Sequence, residues 1–94
     1  SKGTPVKAVA QGKAVMVDWF RGYGRFVLLY HGKSYFTLYG CLSEVYVHPG
    51  ALVDKGEVIA RSGDTGSLGQ PKLHFEVLKG KEALDPLLWL ASAH

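Results

Sequence analysis

Short runs in which hydrophobic and polar residues alternate follow one another along this chain, and each run predicts a β-strand. Glycine, proline or small polar residues separate the runs, as turns between strands require. Because almost no segment has the helical period, the pattern predicts an all-β sandwich or barrel. The predicted strands cover residues 6–10, 13–20, 25–31, 34–42, 58–62 and 72–78.

The last predicted strand, 72–78, has the clearest two-residue period, and side chains two residues apart share one face of a strand. After it, Asp85-Pro86 has the form of a helix cap followed by proline at the first helical position. We therefore expect one short C-terminal helical turn, in which the apolar residues 87–90 pack as a plug. The two faces of the strand hold Leu73, Phe75 and Val77 on one side and Lys72, His74 and Glu76 on the other.

Composition limits the classes of function. The chain has 94 residues, 47% of them hydrophobic and 20% charged, which indicates one folded domain, residues 1–94. The net charge of +3 comes from scattered basic residues, so we expect no nucleic-acid partner. The single cysteine, Cys41, excludes an intrachain disulfide and a Cys/His zinc cluster. Because the chain begins in what resembles the approach to a strand, we expect a fragment of a longer protein.

Several short motifs occur in a fixed order and cover nearly the whole chain. They are Gly3-Thr4-Pro5-Val6-Lys7-Ala8, Gly22-Tyr23-Gly24, Thr37-Leu38-Tyr39-Gly40-Cys41-Leu42-Ser43, Val53-x-x-Gly56-x-x-Ile59-Ala60, Ser62-Gly63-x-Thr65-Gly66, Pro71-Lys72-Leu73-His74-Phe75-Glu76, and Asp85-Pro86 with Trp89-Leu90. In this order they resemble the lysostaphin/LytM-type zinc endopeptidases, which cut peptidoglycan cross-bridges. The resemblance implies the fold of that family, a β-sandwich or barrel-sandwich hybrid with a groove across one sheet.

The chain departs from that family where the chemistry is performed. The resemblance implies that catalytic members bind zinc through a His-x-x-x-Asp pair and the second His of a His-x-His motif, and that two further histidines handle the proton transfers. Here His74 stands at the third ligand position and is the only candidate ligand retained. Lys72 and Cys41 replace the two proton-handling histidines, and the His-x-x-x-Asp pair would precede Ser1.

These replacements are unfavourable for hydrolysis. Histidine suits proton transfer near neutral pH, whereas lysine stays a fixed cation, which would also oppose a metal ion nearby. A catalytic zinc site needs three protein ligands, and one retained histidine does not supply them. We therefore predict no metal site, no cofactor and no enzymatic activity for this domain, with zinc only in the alternative of an active peptidase.

Residues 19–24 and the segment Leu38-Tyr39-Gly40 resemble the degenerate activator branch of the family, the EnvC/NlpD-like domains, more than the catalytic branch. This resemblance implies a module in the periplasm or cell envelope that binds and activates an N-acetylmuramoyl-L-alanine amidase, or docks on peptidoglycan, during septal remodelling. It also implies regulation by a coiled-coil region or by membrane division machinery of the full-length protein. The expected partner-binding groove comprises Tyr23, Tyr39, Cys41, Lys72, His74 and Glu76.

The sequence also predicts the exposure or role of four individual residues. Tyr23, flanked by glycines in a loop, is expected to be exposed, whereas Cys41 in a β-rich run is expected to be a small buried hydrophobe. Trp19 fits either the groove or the core. His31 beside Gly32 is expected to be a turn residue without a role.

Two other functions are compatible with parts of the sequence. One is an active zinc endopeptidase of peptidoglycan cross-bridges whose first ligands lie upstream of Ser1. The other is a lipoyl- or biotinyl-type carrier, because its sheets have a similar turn to that at residues 53–60. A carrier needs a lysine at a hairpin tip, and the matching tip here is Asp64-Thr65-Gly66, which has none.

Overall fold

The computed structural model describes residues 3–21, 23–63 and 73–80, and in these ranges the chain forms an all-β fold. The strands form one curled sheet in the order β1-β6-β4-β3-β2-β5, with β7 paired to β4, and the pairs are antiparallel. The strands are β1 (Pro5–Lys7), β2 (Gly12–Phe20), β3 (Gly24–Gly32), β4 (Tyr35–Val45), β5 (Leu52–Val53), β6 (Val58–Ser62) and β7 (His74–Lys79).

The prediction of an all-β fold is therefore confirmed, with small differences at the strand ends. Strand β1 ends at Lys7 rather than at residue 10, because Ala8 instead bonds to the turn before β6, donating to Glu57 O at 2.9 Å. The two-residue strand β5 was not predicted. Strand β7 begins at His74. The predicted helical turn at residues 85–90 lies outside the described residues, and in the described ones no helix is long and apolar enough to cross a membrane.

The strands bury apolar side chains on both faces of the sheet. Strand β3 is central and supplies both, because alternate residues of a strand point to opposite faces. Trp19, by contrast, is 52% exposed and is not a core residue. The first core contains Val6, Ala8, Ala14, Val27, Leu29, Tyr39, Leu42, Val53, Ile59 and Ala60, and the second contains Tyr23, Phe26, Leu28, Phe36 and Leu38.

Strand β4 pairs with two different strands along one of its edges. Its first part, Tyr35 to Gly40, pairs with β7, and its second part, Leu42 to Val45, pairs with β6. The change of partner occurs at Cys41, whose φ of 59° is left-handed and therefore costly for a residue with a side chain. The Cys41 backbone is fixed on both sides, because its N–H donates to Tyr23 O at 2.6 Å and its carbonyl accepts from Gly63 N at 2.7 Å.

Gly63 reaches Cys41 only because it has no side chain. A Cβ at this position would lie 2.5 Å from the Cβ and 2.8 Å from the backbone N of Ser43. The Ser62-Gly63 pair of the sequence motif therefore has a steric explanation at the point where β6 approaches β4.

The Gly63→Ala substitution is expected to destabilise the fold by about 3 kcal/mol, near the upper end of the range for overpacked sites, because backbone atoms block the added methyl group. Gly56→Ala is the matched control, since no atom lies within 4 Å of a Cβ at Gly56 and its φ of 85° alone opposes the change. That strain costs about 1 kcal/mol. Urea unfolding of both variants measures the difference, and equal losses would contradict this account of Gly63.

Candidate functional site

The site forms where the β2–β3 connection meets strands β4 and β7. Tyr23 precedes β3, and its ring lies close to the ring of His74 on β7, with 4.5 Å between centroids. Gly40 on β4 makes this approach possible, because a Cβ there would lie 3.1 Å from Tyr23 O and 3.4 Å from the Cβ of His74. The absence of a side chain at Gly40 therefore allows the β2–β3 connection and β7 to approach β4 closely.

Tyr23, His74 and Glu76 form a hydrogen-bonded group, which we call the Tyr–Glu–His cluster. Oε2 of Glu76 accepts from the Tyr23 hydroxyl at 2.6 Å and lies 2.6 Å from Nε2 of His74. One carboxylate oxygen thus joins residues that are 53 positions apart in the chain. The His74 and Glu76 side chains are 36% and 24% exposed, so the cluster is accessible from solvent.

The electrostatics of the cluster keep the tyrosine protonated. Burial raises the pKa of Tyr23 strongly, and the hydrogen bond and the negative charge of Glu76 raise that pKa further. The phenol is therefore a fixed donor to the carboxylate. Because a carboxylate oxygen only accepts hydrogen bonds, Nε2 of His74 is the donor to the same oxygen.

The prediction that Tyr23 is exposed is wrong, because only 1% of its surface is accessible. Glycine at both flanks indicated an open loop, but the connection folds back onto the sheet. Gly24, with a φ of 68°, allows this reversal, and the backbone carbonyl of Tyr23 accepts from Cys41 N. Cys41 is 5% exposed, in agreement with the expected buried position.

The structure does not bring Tyr39 together with His74. Tyr39 pairs with Phe75, whereas His74 pairs with Gly40, so the two side chains belong to opposite faces of the sheet. The Tyr39 ring is 1% exposed in the first core. Its hydroxyl lies 2.9 Å from Thr37 Oγ1 and accepts from Val9 N at 3.1 Å. Tyr39 is a core residue in this fold.

His31 also has a structural role that the sequence did not indicate. Its Nδ1 lies 2.8 Å from Gln11 O and its Nε2 lies 2.6 Å from Thr37 Oγ1. Through Thr37 and Tyr39 the hydrogen bonds continue to Val9. The imidazole therefore ties the start of β2 to β4, and its partner Thr37 lies on the face of β4 opposite to that of the Tyr–Glu–His cluster.

Zinc does not fit the residues that the structure describes. In residues 3–21, 23–63 and 73–80, no three His, Cys, Asp or Glu side chains lie close enough together to hold a metal ion. Lys72, which the sequence places beside His74 on the same face of the strand, lies outside the described residues.

The Tyr23→Phe substitution removes the phenolic donor and is expected to destabilise the fold by about 1.5–3 kcal/mol, the range for a hydrogen bond to a charged group. Tyr35→Phe is the control, because Tyr35 is 45% exposed and its loss should cost less than about 0.5 kcal/mol. Thermal or urea unfolding at neutral pH compares the two. If Tyr23→Phe lost no more stability than Tyr35→Phe, the hydrogen bond from Tyr23 to Glu76 would be refuted.

The raised pKa of Tyr23 predicts that the difference in stability between the wild type and Tyr23→Phe depends on pH. The unfolded chain ionises this phenol near pH 10, whereas the folded chain does not. The stabilising contribution of Tyr23 is therefore complete below pH 10 and is lost as the pH rises above it. We expect the stability gap between wild type and Tyr23→Phe to shrink above pH 10. Because Tyr23 stays protonated in the folded chain, the phenolate absorbance of the two folded proteins should coincide above pH 10 as well.

Comparison with known proteins identifies relatives of this chain. The chain is 41% identical over 90 residues to the murein hydrolase activator EnvC of Escherichia coli K12, covering 96% of this chain and 22% of EnvC. It is 37% identical over 89 residues to the lipoprotein NlpD/LppB homologue of Pseudomonas aeruginosa, covering 94% and 30%. The chain thus spans less than a third of these relatives' length.

A solved structure and a family model agree with these relatives. The catalytic domain of the antimicrobial peptidase lysostaphin from Staphylococcus simulans superposes with a TM-score of 0.81 at 33% identity, covering 97% of this chain and 73% of that domain. The model of peptidase family M23 matches residues 1–86. On this evidence, the chain belongs to peptidase family M23, in agreement with the resemblance that its motifs carry.

Proposed function

We propose that this chain is a non-catalytic M23 domain that binds a murein hydrolase through the surface around the Tyr–Glu–His cluster and activates it. The observation that carries the proposal is the lack of a ligand set around His74. At the position where the resemblance places a zinc ligand, residues 3–21, 23–63 and 73–80 contain no group of three His, Cys, Asp or Glu side chains that could hold a metal ion.

The chemistry around His74 supports binding rather than hydrolysis. Cys41 stands where the family resemblance places a proton-handling histidine, and it is buried. Tyr23 is held as a proton donor to Glu76 and does not ionise near neutral pH. A peptidase needs a group that takes and returns protons near pH 7, and neither of these two residues is such a group.

The relatives support the partner and the location that we propose. EnvC is a murein hydrolase activator, so the partner that we propose is an enzyme of peptidoglycan cleavage, and more narrowly an N-acetylmuramoyl-L-alanine amidase. Direct docking on peptidoglycan is the other form of the same proposal. Such a partner requires a location in the periplasm or cell envelope. Any coiled-coil region or division machinery that regulates the groove would lie outside this chain.

A second function, an active zinc endopeptidase, is favoured by one observation. A metal-bound histidine usually donates its other ring nitrogen to a carboxylate, and the bond from His74 to Glu76 has this form. The similarity to the lysostaphin catalytic domain agrees with it. The remaining ligands would then lie upstream of Ser1. The carrier alternative loses its support, because the M23 match includes the turn that suggested it.

Two assays on the purified protein test the proposal. With zinc added, the protein alone should release no fragments from purified peptidoglycan. Mixed with a zinc-loaded amidase, it should increase the rate of release. Turnover by the protein alone that depends on zinc would establish the peptidase instead.

The Glu76→Ala substitution is expected to reduce the stimulation of the amidase by about tenfold, the loss typical of an interface residue that carries binding energy. Leu52→Ala is the control, because Leu52 is 78% exposed on β5, which pairs with β2 and not with β4 or β7. Dye release from labelled peptidoglycan gives the rates. If the two variants stimulated the amidase equally, the Tyr–Glu–His cluster would not be part of the interface.

A further inference from the structure

The hydrogen bonds inside the Tyr–Glu–His cluster use only part of its acceptor capacity. Oε2 of Glu76 takes both bonds, from Tyr23 and from His74. In the part of the chain that the structure describes, neither Oε1 of Glu76 nor Nδ1 of His74 takes part in a hydrogen bond. Both side chains reach solvent, so these two atoms are the groups that the cluster can offer to another molecule.

The charge of the cluster defines what can bind there. Its donors, the Tyr23 hydroxyl and the His74 Nε2–H, are already directed at the carboxylate. The Tyr23 hydroxyl donates to the Glu76 carboxylate, so Glu76 is the negative charge of the group. A carboxylate with one oxygen outside these hydrogen bonds, next to donors that are already used, is complementary to a positively charged donor.

We propose that the Tyr–Glu–His cluster receives an arginine side chain of the protein that the domain activates. The identity of that protein rests on the proposed function, but the preference for a guanidinium rests on the acceptors described above. Arginine is favoured over lysine, because the planar guanidinium has five N–H donors in a fixed arrangement and loses less hydration on leaving water. A half-buried carboxylate also gains more from a charged partner than a fully exposed one does.

A small probe tests the site without any knowledge of the partner. N-acetyl-L-arginine amide is titrated into the isotope-labelled protein, and the signals of the His74 ring and of the β7 backbone are followed by NMR. N-acetyl-L-citrulline amide is the matched neutral probe, because it has nearly the same shape without the charge. We expect saturable shifts at the cluster with the arginine probe and none with the citrulline probe at the same concentration.

Two variants assign the response to Glu76. Glu76→Gln removes the charge and preserves the shape, so the affinity for the arginine probe should fall by about tenfold or more. Glu44→Gln removes one negative charge from an exposed position on β4 where the strand pairs with β6, and it should bind the probe as the wild type does. Unchanged binding by Glu76→Gln, or equal shifts with the citrulline probe, would overturn the inference.

The possible outcomes separate this inference from the proposed function. If the protein stimulates an amidase but the arginine probe causes no shifts, the inference fails and the activator function stands. If the probe binds and no amidase is stimulated, the site is correct and the activator function fails. Zinc is titrated as a third probe. Zinc bound at His74 with an affinity that blocks the arginine probe would also overturn the inference.

Discussion

The left-handed backbone at Cys41 is the constraint on which the rest of the site depends. A β-strand presents one row of hydrogen-bonding groups to each neighbour, and on one edge β4 has to serve both β7 and β6. The change of partner occurs at a residue with a φ of 59°, which the bonds to Tyr23 and Gly63 hold in place. Local strain of this kind persists only where its surroundings determine it fully, and such positions concentrate at functional sites.

The Tyr–Glu–His cluster follows from this branch point. Because β4 turns away from β7 at Cys41, the first residue of β7, His74, lies opposite Gly40 and beside the β2–β3 connection. The bond from Cys41 N to Tyr23 O then fixes Tyr23 within reach of Glu76. A carboxylate oxygen shared by a phenol and an imidazole is thus the outcome of strand geometry as much as of the three side chains.

Much of this arrangement could be predicted from the sequence. The alternation in residues 72–78 placed His74 and Glu76 on one face, and the glycines and prolines separated most of the strands correctly. Local patterns could not place Tyr23, because its partner is 53 residues away and the flanking glycines are equally compatible with an exposed loop. Nor could they separate Tyr39 from His74, because a shift of one residue in the pairing of β4 with β7 would exchange the two faces.

The position of β7 in the sheet has a consequence for how the domain can respond to a partner. Among the described strands, β7 is bonded to β4 alone, whereas β1 and β6 and the greater part of the first core are held together without it. Phe75 and Val77, on the face that β7 shares with Tyr39, are 43% and 62% exposed, and Phe75 contacts the Tyr39 ring with 5.4 Å between centroids, so this strand is only partly anchored on that side. Detachment of β7 would therefore be a local opening rather than global unfolding, and it would carry the histidine and the carboxylate away from the tyrosine as one unit.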